Sequence, residues 1–260
     1  MADFNNYQNR VAQGRAQSGA EIDAGLRAYM VKVYNLMALA LVITGVAAFG
    51  MASLATTNDP SLAVATLPNG TMLTSLGALV YGSPLRWVVM LAPIGLVLLL
   101  SFRIQKMSLP AAQATFWGYA ALMGLSLSSI FLVYTGQSIV QTFFITAASF
   151  GALSLYGYTT KKDLSGLGSF LIMGLFGLII ASIVNIFLQS SAMGFAISAI
   201  GVLIFAGLTA YDTQKIKEMY FDGDDVVAAG RKAIMGALTL YLDFINLFTF
   251  LLQFLGNRNN

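Results

Sequence analysis

Seven stretches of this chain are long and apolar enough to cross a lipid bilayer as helices, and that feature removes most folds from consideration. A hydrocarbon core about 30 Å thick needs about 20 apolar residues in helical form. The runs lie at approximately 33–54, 85–102, 112–134, 138–159, 168–188, 194–213 and 232–255. With no water in the hydrocarbon, each run must satisfy its own backbone groups, so an all-α membrane protein built as a seven-helix bundle is expected. Composition agrees: charged residues make up 10% of the chain and mean hydropathy is +0.75, against about 25% charge in an ordinary soluble domain. The second run is short and contains Pro93, which removes a backbone donor and is expected to kink it.

Two organisational units follow. Residues 1–28 are rich in Asn, Gln, Ala and Gly with scattered charge and are expected to form a mobile cytoplasmic tail. Residues 29–260 hold the transmembrane domain. The first apolar run starts only near Val33 and is long enough to be an uncleaved span rather than a signal peptide. Of the 14 basic residues, all but Arg86 and Arg258 fall in segments on the N-terminal side of the bilayer. The positive-inside rule then puts the N-terminus in the cytoplasm and, after seven crossings, the C-terminus outside. In the alternative topology the last run is a re-entrant hairpin and the C-terminus returns to the cytoplasm. The loops are short except 55–84, so no soluble domain of ordinary size fits anywhere. Small residues at helical spacing, such as Gly166 and Ser169, Gly174 and Gly177, and Ser198 and Gly201, are expected to let helices approach closely.

The chain has no cysteine and no histidine. Thiol chemistry, zinc–thiolate sites and the usual sensor near neutral pH are excluded. The net charge of +3 sits in loops rather than in a patch, which gives no ground for a nucleic-acid partner. Proton chemistry falls to carboxylates, tyrosines or lysines. Asp243 is the most exceptional of these, because the run from Ala233 to Gly256 holds no other ionisable side chain except tyrosine. Counted from Arg231 and Lys232 it lies roughly 17 Å deep, where a carboxylate costs about 3 kcal/mol and marks an ion or proton path. Asp212, at the end of the sixth run, gains meaning only if it faces Asp243. Counting from Lys215 places it only about 5 Å deep, so the sixth helix would have to continue past Lys215 towards Tyr220. Should they meet in a partly dry cavity, the two carboxylates cannot both ionise cheaply and hold one proton between them.

Other candidates are weaker. "DGDD" (222–225) fails the EF-hand pattern, since position twelve falls on Ala233 or Met235, and is expected to be a solvated turn. Arg103, ending the second run, either snorkels to the headgroups or reaches inward to the aspartates. Asn246 lies one turn beyond Asp243 on the same face and, like Asn185, is a polar group inside a span. "AYD" (210–212) matches the first half of an intramembrane aspartyl protease signature. The second half needs glycines where Leu240 and Leu242 stand, so no enzyme is expected.

The stretches "GLTAYDTQKIK" (207–217) and "ALTLYLDFINLF" (237–248) resemble the signature of the Bax inhibitor family, and "KKDLSGLGSFLIMGLFGLIIASIVNIF" (161–187) is similar to its fourth loop and fifth span. The resemblance implies a bundle whose last helix is central and wrapped by the other six. It also implies a pH-dependent calcium leak governed by a carboxylate pair, which maps onto Asp212 and Asp243. An arginine acting on that pair maps onto Arg103. Some members carry an acid in the second span, and "MLAPIGLVLL" has none. The compact chain suits a bacterial inner-membrane member. No cofactor is expected, and calcium would be the permeant ion, touching Asp212 and Asp243 in transit. The expected partners are the lipid bilayer and calcium or other cations. The alternative is a non-conducting regulator that binds other membrane proteins, such as quality-control proteases.

Overall fold

Each apolar run closes its own hydrogen bonds, and the ends of the helices fall where side chains take over that task. The structure is a computed structural model that describes the backbone of residues 2–259 and the side chains of residues 23–259. Helix α1 spans Ala2–Ala55, with Asp23–Ala55 as its membrane-length part. Most of the segment expected as a tail lies outside the described side chains. The next spans are α3 (Leu85–Arg103), which runs on through Pro93, and α4 (Leu109–Leu127), extended by the short α5 (Ile130–Val133). They are followed by α6 (Gly136–Thr159), α7 (Ser165–Leu188), α8 (Ser191–Glu218) and α9 (Val226–Leu255). Ser108, Thr135, Ser190 and Asp225 cap the first turns of α4, α6, α8 and α9 by accepting from free amides. Helix α7 stops at Gln189, whose φ of 49° is left-handed.

The long connection after α1 is ordered. Strands β1 (Thr56–Thr57), β2 (Ala65–Thr66) and β3 (Met72–Leu73) form an antiparallel sheet in the order β1-β3-β2. Helix α2 (Ser75–Gly82) then leads into α3. Helix α2 packs on α1 and α3.

Seven helices are long and apolar enough to span a membrane, as the sequence requires. Helix α9 lies at the centre: 67% of its membrane window is buried, against at most 39% in any other span. It is one unbroken helix of 30 residues, about 45 Å long at 1.5 Å per residue. The re-entrant alternative is therefore not what the chain forms. The expected ring of six helices around α9 is also corrected. Helices α1, α4, α6 and α8 pack on α9, whereas α3 packs chiefly on α4 and α7 chiefly on α8.

Close approach depends on a few glycines. A side chain on Gly157 would run into the Ala210 backbone of α8, and one on Gly124 into the Thr44 backbone of α1. Of the small residues singled out above, Gly174 faces Ile204 and Gly201 faces the Phe250 ring, while Gly166 and Gly177 face open space.

Candidate functional site

Helices α8 and α9 run antiparallel in a register that side chains fix at both ends. Near the turn between them, a methyl group on Gly236 would lie 2.9 Å from Ile216 Cγ2. At the other end Ser198 Oγ donates to Gln253 Oε1 at 3.3 Å, and Phe205 stacks on Phe250 with ring centroids 5.7 Å apart. Between these contacts the register sets Asp212 against Asp243, and the two carboxyl groups lie within hydrogen-bonding distance of each other.

The meeting depends on α8 running on to Glu218, three residues past Lys215, which is the continuation that the depth count demanded. It depends equally on α9 starting early. Residues 226–235 reach beyond Ile216 and dock elsewhere, where Arg231 donates from Nε at 3.0 Å and Nη2 at 2.5 Å to the Met107 carbonyl. Neither Lys215 nor Arg231 marks the end of its helix, so counting inward from each gave unequal depths for residues at one level.

Other faces of α8 are used for anchoring. Thr213 Oγ1 and Ser154 Oγ are 2.9 Å apart, and Ser154 Oγ lies 2.6 Å from Tyr34 Oη, which ties α8 to α6 and α1. Gln214 accepts from the Leu164 amide and donates to the Lys162 carbonyl, both at 2.8 Å. Lys217 Nζ donates to the Tyr158 carbonyl at 2.8 Å. With these residues committed, Asp212 and Lys215, one turn apart, share the face that remains.

That face borders a cavity of about 560 Å³ between α7, α8 and α9, with Asp212, Asp243, Lys215, Tyr211, Thr239 and Asn246 on its wall. Asp243 is 4% exposed, and its Oδ2 meets no hydrogen-bond donor among the described residues. A buried polar atom left in that state costs about 1–3 kcal/mol. Asp212 is half-buried. Asn246 shares the cavity, as its position one turn from Asp243 suggested, and its Nδ2 donates to the Leu242 carbonyl at 2.8 Å. On the opposite face of α9, Tyr241 Oη and Thr44 Oγ1 are 2.7 Å apart, and Thr44 Oγ1 also bonds the Ala120 carbonyl at 2.8 Å.

Arg103 does not join the pair. It is exposed at the end of α3 and makes no ion pair with either aspartate among the described residues; α3 packs chiefly on α4. The cation that acts on Asp212 is Lys215, whose Nζ lies 5.8 Å from the Tyr211 ring centre. The signal for it was the three-residue spacing to Asp212, which the sequence reading took for a helix end. Asn185 caps the end of α7 instead, with Oδ1 accepting from the Ser190 amide at 3.1 Å. Outside the spans, the Ser61 hydroxyl and amide hold Asp59 below the usual carboxylate range. The Ser165 hydroxyl and amide do the same for Asp163. Neither loop acid titrates near neutral pH.

Among the described residues no group of three or more His, Cys, Asp or Glu side chains could hold a metal ion. A resident calcium needs six to eight oxygens, more than two carboxylates provide. The arrangement suits holding a proton, or a brief contact with a passing cation.

Comparison with known proteins agrees with the signature residues. The family described as "Inhibitor of apoptosis-promoting Bax1" matches residues 26–260. Protein RP147 of Rickettsia prowazekii is 49% identical over 238 residues, covering 92% of this chain and 93% of that one. A Caulobacter vibrioides protein is 46% identical over 260 residues, covering 99% of both. The Escherichia coli inner membrane protein YbhL is 45% identical over 246 residues, covering 94% of this chain and 97% of its own length. With the family match running from α1 to the last residue, this seven-helix membrane protein belongs to the Bax inhibitor family.

Proposed function

We propose that this protein is a pH-sensitive cation leak of a bacterial inner membrane, with calcium as the permeant ion and the Asp212–Asp243 pair as its gate. The observation that carries the reading is the pair itself: two carboxyl groups within bonding distance in a cavity, one of them 4% exposed. With one proton shared, the pair holds α8 to α9. With the proton gone, two charges about 4 Å apart repel by about 4 kcal/mol at an effective dielectric of about 20. That biases a two-state helix contact by roughly a thousandfold. The groups facing the pair are Lys215 and Tyr211 on α8, and Thr239 and Asn246 on α9. Lys215 is the one basic side chain among these, so it is the group placed to compete with the shared proton. Oxygen ligands suit calcium as they suit other hard cations, and the choice of calcium rests on the family resemblance. A shell short of six oxygens favours release over retention. The inner membrane is supported by the similarity to YbhL, and an N-terminus in the cytoplasm by the distribution of basic residues.

The test is flux of calcium, sodium and potassium through purified protein in liposomes at two pH values. Calcium flux that changes between the two supports the reading. Liposomes no leakier than protein-free controls, for every ion and at both pH values, would leave the non-conducting regulator in its place.

A further inference from the structure

The end of the bundle that carries the C-terminus holds a second cavity, of about 510 Å³ and away from the aspartates. Arg86 and Arg258, the two basic residues that stood apart from the other twelve in the sequence, both line it. No Asp or Glu lines it, and neither arginine is ion-paired among the described residues. Guanidinium groups stay charged at any physiological pH. The fold has thus brought two like charges, 172 positions apart in the sequence, to one wall with no Asp or Glu among its described lining residues.

Their placement is built rather than incidental. The chain after α9 lies against the turn between α5 and α6, with Tyr134 and Arg258 paired in a single antiparallel bridge. The Asn257 amide donates to Ser138 Oγ at 2.9 Å, and the Thr135 amide donates to the Asn257 carbonyl at 3.1 Å. The Asn259 amide donates to the Val133 carbonyl at 2.8 Å, and its Nδ2 to the Tyr134 carbonyl at 3.2 Å. From the 55–84 connection, Asn69 Nδ2 donates to the Leu132 carbonyl at 2.9 Å. The backbone on either side of Arg258 is therefore held in place. Arg86 sits in the first turn of α3 with its guanidinium 5.1 Å from the Trp87 ring centre. The positive end of that helix dipole faces the same region.

From this geometry we infer that the cavity formed by Arg86, Arg258 and Trp87 binds a phosphoryl group. The reason is chemical. A guanidinium offers two parallel N–H bonds to a phosphate, is weakly hydrated, and stacks on an aromatic ring while doing so. Two guanidinium groups around one anion replace their mutual repulsion with four charge-assisted bonds. Such a group comes either from a lipid headgroup at the bilayer interface or from phosphate free in solution.

The experiment uses the full chain in detergent and in nanodiscs. In detergent, inorganic phosphate is titrated while tryptophan fluorescence is followed, with Trp87→Phe identifying the reporting ring. In nanodiscs, native mass spectrometry compares retention of phosphatidylglycerol with that of an uncharged diacylglycerol. Saturable phosphate binding assigns the site to a free anion, and selective retention of phosphatidylglycerol without it assigns the site to a lipid. In either arm Arg86→Gln with Arg258→Gln should weaken binding at least tenfold, and Arg86→Lys with Arg258→Lys should weaken it less. Should the glutamine pair fail to fold, phenylglyoxal modification of the wild-type chain reads the same contact, since the bound probe must slow labelling at both arginines. Binding in neither arm, equal binding by a folded glutamine pair, or labelling that the probe does not slow would each overturn the inference.

Discussion

Substituting Gly157 with alanine should destabilise the protein, whereas the same substitution six residues earlier on the same helix should not. A Cβ at Gly157 would sit 2.9 Å from the Ala210 carbonyl carbon and 3.0 Å from its Cα. Carbon atoms prefer about 3.5–4.0 Å, so α6 and α8 would have to part by most of an ångström. The obstacle is backbone, and no rotamer change relieves it. Overpacking of this kind costs about 1–3 kcal/mol. Alanine gains about 1 kcal/mol over glycine in helix propensity, which leaves Gly157→Ala roughly 0–2 kcal/mol less stable than wild type. At Gly151 nothing lies within 4 Å, so Gly151→Ala keeps the propensity gain alone. The two variants should therefore differ by about 1–3 kcal/mol. Unfolding of purified protein in mixed micelles titrated with SDS measures that difference. Because Ala210 lies two residues before Asp212, Gly157→Ala should also alter the pH profile of flux. Equal stability of the two variants would refute the reasoning, since it would mean that the α6–α8 contact yields without penalty.

Four further outcomes are expected. Asp212→Asn and Asp243→Asn should each flatten the pH dependence of liposome flux, and the double variant should be no worse than the more severe single; a folded Asp243→Asn protein with the wild-type profile would remove the pair from the mechanism. Lys215→Gln should move the pH midpoint of flux upward, because one positive charge fewer faces the pair, whereas Arg103→Ala should leave it in place. Thr44→Val should cost about 1–3 kcal/mol in mixed-micelle unfolding, because it strips the buried Tyr241 hydroxyl of its partner; an unchanged midpoint would mean that Tyr241 bonds elsewhere. Reporter fusions at Asn260 should be active only when facing away from the cytoplasm, and the opposite result would reverse the orientation taken from the basic residues.

The number, length and helical nature of the spans were legible in the sequence, because hydrocarbon forces every crossing segment to satisfy its own backbone. So were the identities of Asp212, Asp243 and Asn246, because ionisable and amide side chains inside apolar runs are rare enough to be noticed one by one. Their meeting was not legible. It was permitted by the helix-forming composition of "TQKIKEMY", but it was decided by the α8–α9 register, which contacts at Ile216, Gly236, Ser198 and Gln253 fix from both ends. Arg231 misled the depth count because a basic residue near a span reads as a headgroup marker, and only packing shows it bonded to the Met107 carbonyl.

Arg103 and Lys215 mark the same division. A one-dimensional pattern places both at the ends of spans and cannot say which reaches the carboxylates. That depends on α3 standing behind α4, while Lys215 shares the free face of α8 with Asp212. Arg86 and Arg258 were visible as exceptions to the charge asymmetry, yet their convergence required the chain after α9 to bond to the turn between α5 and α6. The sequence by itself determined what had to be buried in lipid and which polar groups broke that rule. Tertiary structure alone decided which of those groups face one another, because a helix fixes the direction of a side chain only relative to its own axis.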